Sequence, residues 1–323
     1  MDGLRIRPCV PDCDDETLLA IVNAAEAGSP DFVPETIEQF RIARQSPDWT
    51  ADGIFFAELD GIPVGTVTGA VDPHRSEPLG FLAGPSVLPA YRRRGIGTAL
   101  ARHALDYLRS RGMKTARTAI GDWNRPAAAF LAGFGFRPTR RFSLMRRPLA
   151  NLPSGVGEHP DVSVEDAGAS DEAVSLLTRL SNEAFREHFG HRDGTEASRR
   201  YWMDNVVAMG FVVRRTIARF SGEAAGFLIH GYYPAENEQL GTSRGGLWSV
   251  GVLKAHRNKG IAKRLMLEGM AWLAAQGLAE VELGVDDENI TSARRLYERL
   301  GFAVVRGSTT YDCPLEPVTG PAR

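Results

Sequence analysis

The chain of 323 residues carries 38 basic and 40 acidic residues, a net charge of −2 and 43% hydrophobic residues. That balance supports one large or two ordinary packed domains, and it gives no overall basic field for nucleic acid or an anionic membrane. Cys9, Cys13 and Cys313 are too few for a disulfide framework and lack zinc-ligand spacing, so they read as reduced thiols and no metal is expected. No basic segment followed by an apolar run opens the chain, and nowhere do about 18 apolar residues follow one another. The expectation is a cytosolic protein without a membrane span.

The predicted elements run in two similar series. "LRIRPC", Leu4 to Cys9, reads as a short strand, followed by a helix with apolar spacing at Leu18, Ile21 and Val22. "IFFAELDGIPVGTVTGAV" contains Asp60 and Gly61, a strong hairpin turn signal. A strand then passes through "AYRRRGIG" into a long helix that stops at Gly112. The strand "TARTAI", a helix and a last strand after Gly135 and Phe136 complete the first series. From Asp161 the order returns: "DVSVED", a helix with Val174, Leu177 and Leu180, a hairpin turning at Ser221 and Gly222, and a strand through "AHRNKGIAK" into a helix that stops at Gly277. "EVELGV", a helix and a strand after Gly301 and Phe302 follow.

Arg92, Gly95 and Ile96 match Arg257, Gly260 and Ile261 at an offset of 165, the two Gly-Phe pairs match at 166, and Asn23 matches Asn182 at 159. A half-chain period is too long for a solenoid and fits two copies of one domain. "PLANLPSGVGEHP", Pro148 to Pro160, breaks both helical and strand patterns. The expected division is therefore residues 1–147, a linker at 148–160, and residues 161–323, in the mixed α/β class.

A glycine turn that opens a helix leaves several backbone N–H groups without intrahelical partners, pointing outward together. Phosphate oxygens suit that geometry, and the helix dipole adds to it. Arg92, Arg93 and Arg94, or Arg257, Lys259 and Lys263, bring full charges nearby, and Gly95 and Gly260 permit close backbone approach. A solvated basic turn with a packing glycine is the alternative use of one such loop; two copies at matching positions weigh against it. Neither loop is a P-loop, because no Lys-Ser or Lys-Thr follows a second glycine, and neither has the third glycine of the dinucleotide fingerprint.

The pattern Arg/Gln-x-x-Gly-x-Gly/Ala, here Arg92-Arg93-Arg94-Gly95-Ile96-Gly97 and Arg257-Asn258-Lys259-Gly260-Ile261-Ala262, resembles the coenzyme A pyrophosphate loop of the GNAT acetyltransferase superfamily. The resemblance extends through "WSVGVLKAHRNKGIAKRLM" and "VDDENITSARRLYERLGF", and the whole looks like a tandem GNAT protein, the arrangement of the mycothiol synthases and their relatives. It implies two GNAT domains, each a mixed, mostly antiparallel sheet flanked by helices, acting as monomer or homodimer. Acetyl-CoA is the implied acyl donor and a small-molecule amine the acceptor. Both loops, with Thr98, Lys263, Val87, Val252 and Asn289, are the implied coenzyme contacts.

In that family a backbone N–H on the fourth strand polarises the thioester carbonyl. The match of "VGV" assigns it to Val250, with Val252 pairing to the pantetheine arm, and Tyr297 matches the tyrosine that protonates the leaving thiolate. A tyrosine, with an unperturbed pKa near 10, is protonated at neutral pH; the plainer use of Tyr297 is as a helix aromatic beside Leu296 and Leu300. In the first copy Pro85 stands opposite Val250 and Leu131 opposite Tyr297, removing an N–H and a proton source. That copy is expected to be catalytically degenerate, with coenzyme binding kept or once present. Asn124 falls one residue out of register with Asn289.

Neither "GFLAGPSVLP" nor "GGLWSVGVLK" carries the glutamate that many relatives use as base. Asp286, Asp287 and Glu288 acting through water, and Glu183 and His188 in the segment that lines the acceptor site in relatives, all stay open. The reading is an N-acetyltransferase with its chemistry in the C-terminal copy. A non-catalytic acyl-CoA-binding sensor or scaffold is the alternative, and the fold does not choose among mycothiol-synthase-like, antibiotic and protein-amine acceptors.

Overall fold

The computed structural model describes residues 3–152, 159–289 and 293–315. The chain divides into two compact units, Met1–Thr139 with Thr309–Arg323, and Arg140–Ser308.

The first unit opens with β1 (Leu4–Pro8), α1 (Asp15–Glu26), α2 (Ile37–Arg44) and the hairpin β2 (Ile54–Leu59) and β3 (Ile62–Val71). β4 (Leu79–Val87), a 3-10 turn (Pro89–Tyr91), α3 (Ile96–Ser110), β5 (Thr115–Gly121) and α4 (Arg125–Ala132) follow, and β6 (Arg137–Pro148) leads out. The hairpin turns at Asp60 and Gly61, both at positive φ (52° and 81°), the conformation a two-residue turn of this hand requires. α3 buries Ile96, Leu100, Ala104 and Leu108 at helical spacing. These residues share one core with Val64, Val67, Leu82 and Ala116 from the sheet.

The second unit repeats the order: β7 (Val162–Asp166), α5 (Asp171–Phe185), α6 (Glu196–Asn205), β8 (Val212–Phe220) and β9 (Glu223–Tyr232), then an added helix α7 (Pro234–Leu240). β10 (Arg244–Val252), a 3-10 turn (Lys254–His256), α8 (Ile261–Ala275), β11 (Glu280–Asp286), α9 (Ala293–Arg299) and β12 (Ala303–Pro314) complete the chain. Its hairpin turns at Ser221 and Gly222 with φ of 51° and 87°. α8 packs Leu265, Met266, Met270 and Leu273 against Leu228, Leu247 and Val281.

The likeness of the two halves reaches side chains. The amide of Asn23 donates to Glu35 O at 2.9 Å and accepts from Glu35 N at 3.2 Å; Asn182 does the same with Gly194 at 3.0 and 2.9 Å. Each pins the segment after its helix, which is why the two asparagines recur.

The division of the chain differs from the expected one. The strand order is β1-β2-β3-β4-β5-β12 in the first unit and β7-β8-β9-β10-β11-β6 in the second, with β6 running from Phe142 opposite Asp286 to Pro148 opposite Glu280. In the first unit Asp312 accepts two hydrogen bonds from Arg117 at 2.7 Å, and Leu315 N donates to Lys114 O at 2.8 Å. Each unit thus takes its sixth strand from the far half of the sequence. The expected linker at 148–160 lies inside the second unit, with 153–158 outside the described residues. Proline and glycine mark an interruption there, but the division by contacts falls within two ordinary strands, β6 and β12, that carry no compositional sign of it.

Among the described residues no helix is long and apolar enough to cross a membrane, and no group of three or more His, Cys, Asp or Glu side chains is placed to hold a metal.

Candidate active site

In the second unit β10 and β11 run parallel and are in register only from Arg244–Gly246 to Glu280–Glu282. A bulge at Trp248 follows on β10. Where the strands part, a cavity of about 1120 Å³ opens between Leu247–Val252 and Leu283–Asp286, floored by the start of α8. Leu253 N donates to Ala225 O on the neighbouring strand at 2.9 Å. Hydrogen bonding alternates along an antiparallel edge. The N–H groups of Gly251 and Ser249 therefore face β9, and those of Val250 and Val252 face the cavity.

The loop before α8 holds Asn258 at φ 64° and Gly260 at φ 77°, the latter as helix N-cap with no side chain capping it. The first-turn N–H groups, which have no intrahelical acceptor, border the cavity at Ile261, Ala262 and Lys263. Arg93 (φ 62°) and Gly95 (φ 78°) form the same uncapped turn before α3. The leading arginines also have partners within the protein, and Arg257 lines the cavity. Arg257 donates through Nε to Val252 O at 3.4 Å, to Ala184 O at 3.1 Å and to the Glu187 carboxylate at 3.0 Å. Arg92 reaches Val87 O and Ala25 O at 3.0 Å each. Both tie the loop to the strand end and to the preceding helix. Glu187, not singled out in the sequence, is bound by Lys254 at 2.7 Å as well, and these two cations hold its carboxyl below the usual range. Arg94 lies over the Tyr91 ring, and the Lys259 ammonium lies 4.4 Å over Phe220.

Tyr297, Asn289, His188 and Asp286 line the same cavity. Tyr297 is 7% exposed, on α9, and burial pushes its hydroxyl up to about 12. Burial lowers the His188 imidazole from its ordinary value, with Arg257 adding to the effect and Asp286 opposing it. Asp286 is not free: Arg140 grips both of its oxygens at 2.9 Å. Glu183 does not reach the cavity and is an exposed residue of α5, 3.8 Å from Arg179. Phe142, Phe185 and Trp248 also line the cavity. Trp248 stands two positions before the matched "VGV" and Phe185 lies in the segment of Glu183 and His188, whereas Phe142 left no signal in the sequence.

The first unit lacks these features at the matching places. The position matching Val250 is Pro85, which lies on β4 at the irregularity of its pairing with β3 and has no N–H to offer. A Cβ added at Gly97 would make ordinary contact with Pro85 Cγ at 3.5 Å, Phe130 Cζ at 3.9 Å and Val87 Cγ2 at 3.9 Å, so apolar side chains border the start of α3. Ile96 and Leu131 are core residues and Thr98 is half-buried in the first turn. Asn124 caps α4, accepting from Ala127 N at 3.1 Å, which accounts for it without a ligand.

The uncapped α8 N-terminus, the inward donors of β10 and the long cavity between them fit an anionic head followed by an extended arm, as coenzyme A has. A sequence model of the Acetyltransferase (GNAT) family matches residues 22–136 and 175–302. The chain is 30% identical over 301 residues to a mycothiol acetyltransferase of Tsukamurella paurometabola, covering 91% of this chain and 94% of that one. It is 33% identical over 308 residues to one of Nocardia farcinica, covering 92% and 94%. A tandem GNAT protein from the clavulanic acid biosynthesis pathway superposes with a TM-score of 0.75 at 18% identity, covering 99% of this chain and all of that one, and a GCN5-related N-acetyltransferase from Sphaerobacter thermophilus with 0.68 at 21%, covering 98% and 97%. Two copies of one strand-and-helix order, each opening a glycine-turned helix beside a parted pair of parallel strands, and a match over most of both halves give one conclusion: the chain belongs to the GNAT acetyltransferase family.

Proposed function

We propose that the second unit transfers acetyl from acetyl-CoA to the primary amine of a small molecule, and that the first unit contributes little turnover. One observation carries the reading: Tyr297, its proton held by burial, lines the cavity that the Val250 N–H and the α8 N-terminus also face. Acetyl-CoA, when bound, supplies a thioester carbonyl and a thiolate leaving group. Gly260, Ile261, Ala262 and Lys263 offer backbone donors and a cation for its pyrophosphate, and Asn258 and Arg257 hold that turn in shape. Val250 N–H is a fixed donor where charge on a carbonyl oxygen develops, and it needs no reorganisation. The Tyr297 hydroxyl gives its proton to the departing sulfur. His188, unprotonated at neutral pH, is the candidate acceptor of the amine proton; Asp286, committed to Arg140, and the distant Glu183 are weaker ones.

The names of the relatives put the mycothiol-type amine first among acceptors to assay. The test is thiol release from acetyl-CoA with that amine and a wider panel. Tyr297→Phe should lower kcat by roughly 10²- to 10⁴-fold with coenzyme A affinity little changed. An unchanged kcat removes Tyr297 from the chemistry. Coenzyme A binding with no thiol release for any amine favours a sensor over an enzyme.

A further inference from the structure

At the bulge of β10 the cavity lining holds an unusual surface. Gly246 on β10 and Gly231 on β9 are directly opposite each other in the sheet. An ideal Cβ on Gly246 would lie 2.6 Å from Cδ1 of Trp248, and one on Gly231 would lie 2.8 Å from Cη2 and 3.0 Å from Cζ3 of the same indole. The five-membered ring therefore covers one glycine and the six-membered ring the other, so the indole is laid flat across two strands. Aromatic cover of a cross-strand glycine is a known way to stabilise a sheet, and it accounts for the inner face. It does not account for the outer face. Trp248 is 46% exposed and lines the cavity, two positions from Val250, at the bulge where β10 leaves β11. Phe211 packs nearly perpendicular to it, with ring centres 6.0 Å apart, and itself stacks on Tyr233 at 4.6 Å.

The charges around it narrow what can lie there. The carboxylates lining the cavity are Glu187, bound by Lys254 and Arg257, and Asp286, bound by Arg140. Lys263, Arg295 and Arg299 line it as well. A flexible polyamine would find its second charge opposed by these cations and both carboxylates already neutralised. A ring offers an apolar face to an indole at little entropic cost, and such contacts add to plain burial.

We propose that Trp248 is the specificity-determining platform for the acceptor, taking the flat apolar face of a ring that carries the reactive amine. This rests on the second unit being the acetyl-transfer site. The indole sets which amines bind, and the β10 donors and Tyr297 act on what it has placed.

The test uses the full chain and two kinds of amine: glucosamine and tyramine as ring-bearing probes, putrescine as the open-chain probe. Trp248→Ala should raise KM for the ring-bearing amines by about three- to tenfold, leaving KM for putrescine and for acetyl-CoA unchanged. Gly246→Ala, which keeps the indole but forces it off the strand, should give the same pattern. A purely structural tryptophan would shift all amines alike or none. The second readout is quenching of tryptophan fluorescence by glucosamine with coenzyme A present, lost in Trp248→Phe. Quenching without thiol release keeps the platform and sinks the enzyme reading. Wild-type protein that takes putrescine as tightly as the ring-bearing amines, or a Trp248→Ala protein with unchanged KM for all, overturns the platform.

Discussion

His230 on β9 should make the second unit acid-sensitive. The side chain is 0% exposed, both ring nitrogens lack a hydrogen-bond partner, and its ring lies nearly perpendicular to that of Trp272, with ring centres 5.1 Å apart. Burial lowers its pKa from 6.5 to about 4, with Arg214 on β8 adding to the shift and Asp166 opposing it; Arg214 is itself paired to Asp166 at 3.3 Å and Glu268 on α8 at 3.7 Å. The folded state therefore prefers the neutral ring more strongly than the unfolded state does. Its contribution is complete above pH 6.5 and is lost as pH falls through 6.5 towards 4. From these two values the loss is about 2 kcal/mol at pH 5 and about 3 kcal/mol at pH 4 and below. Other carboxylates titrate in the same range, so the measurement is a difference. Urea unfolding of the full chain, followed by tryptophan fluorescence, is compared at pH 7 and pH 5 for wild type and His230→Gln. Wild type should lose about 2 kcal/mol more than the variant. Equal losses would mean that the ring is charged or hydrogen-bonded in the folded protein, and the argument from burial would fail.

Gly260→Ala places a methyl 3.3 Å from His159 at a φ of 77°, a conformation costing an L-residue about 1–2 kcal/mol; calorimetry on the full chain should show coenzyme A binding to the second unit weakened about 5- to 30-fold, and unchanged binding discards the loop. With His188 as proton acceptor, kcat/KM should fall on an acidic limb below pH 6.5, because burial lowers its pKa from that value; a limb that survives in His188→Gln moves the role elsewhere. A protein carrying Gly260→Glu and Tyr297→Phe together should show near-background turnover, and adding Leu131→Tyr should not restore it. The donor missing at Pro85 alone costs on the order of 3 kcal/mol, about a hundredfold in rate; substantial acetyl transfer would make the first unit a second active site.

Local chemistry was readable in the chain. Asp60-Gly61 and Ser221-Gly222 sit at their turns, α3 and α8 stop before Gly112 and Gly277 at φ of 78° and 82°, and the two arginine loops open their helices as the repeat implied. What could not be read depends on distant partners. The pattern of Arg140 to Pro148 is that of any half-buried strand, and nothing within it says that it pairs with β11. The helices α2, α6 and α7 bury few or no residues, so apolar spacing did not announce them. The charge of Arg257 was legible, but its hydrogen bonds to Val252 O, Ala184 O and the Glu187 carboxylate depend on segments far off in the chain. Trp248 was visible as a residue; that it lies flat required knowing that Gly231 stands opposite Gly246.

The exchange of β6 and β12 reverses the usual order of assembly during synthesis. Domains are made and folded from the N-terminus at roughly 5–20 residues per second. The first unit, however, needs Thr309–Pro314 beside β5, and about 170 residues separate that segment from Thr139. Its sheet waits about 10 to 35 s at those rates, while the second unit receives β6 before any of its own strands exist. The half translated first is thus the half closed last. During the wait the outer edge of β5 is open, the kind of edge that invites pairing with another chain. Arg117 stands on that edge and pairs with Asp312 in the finished sheet, so the strand carries a charge of its own against such pairing before β12 is made.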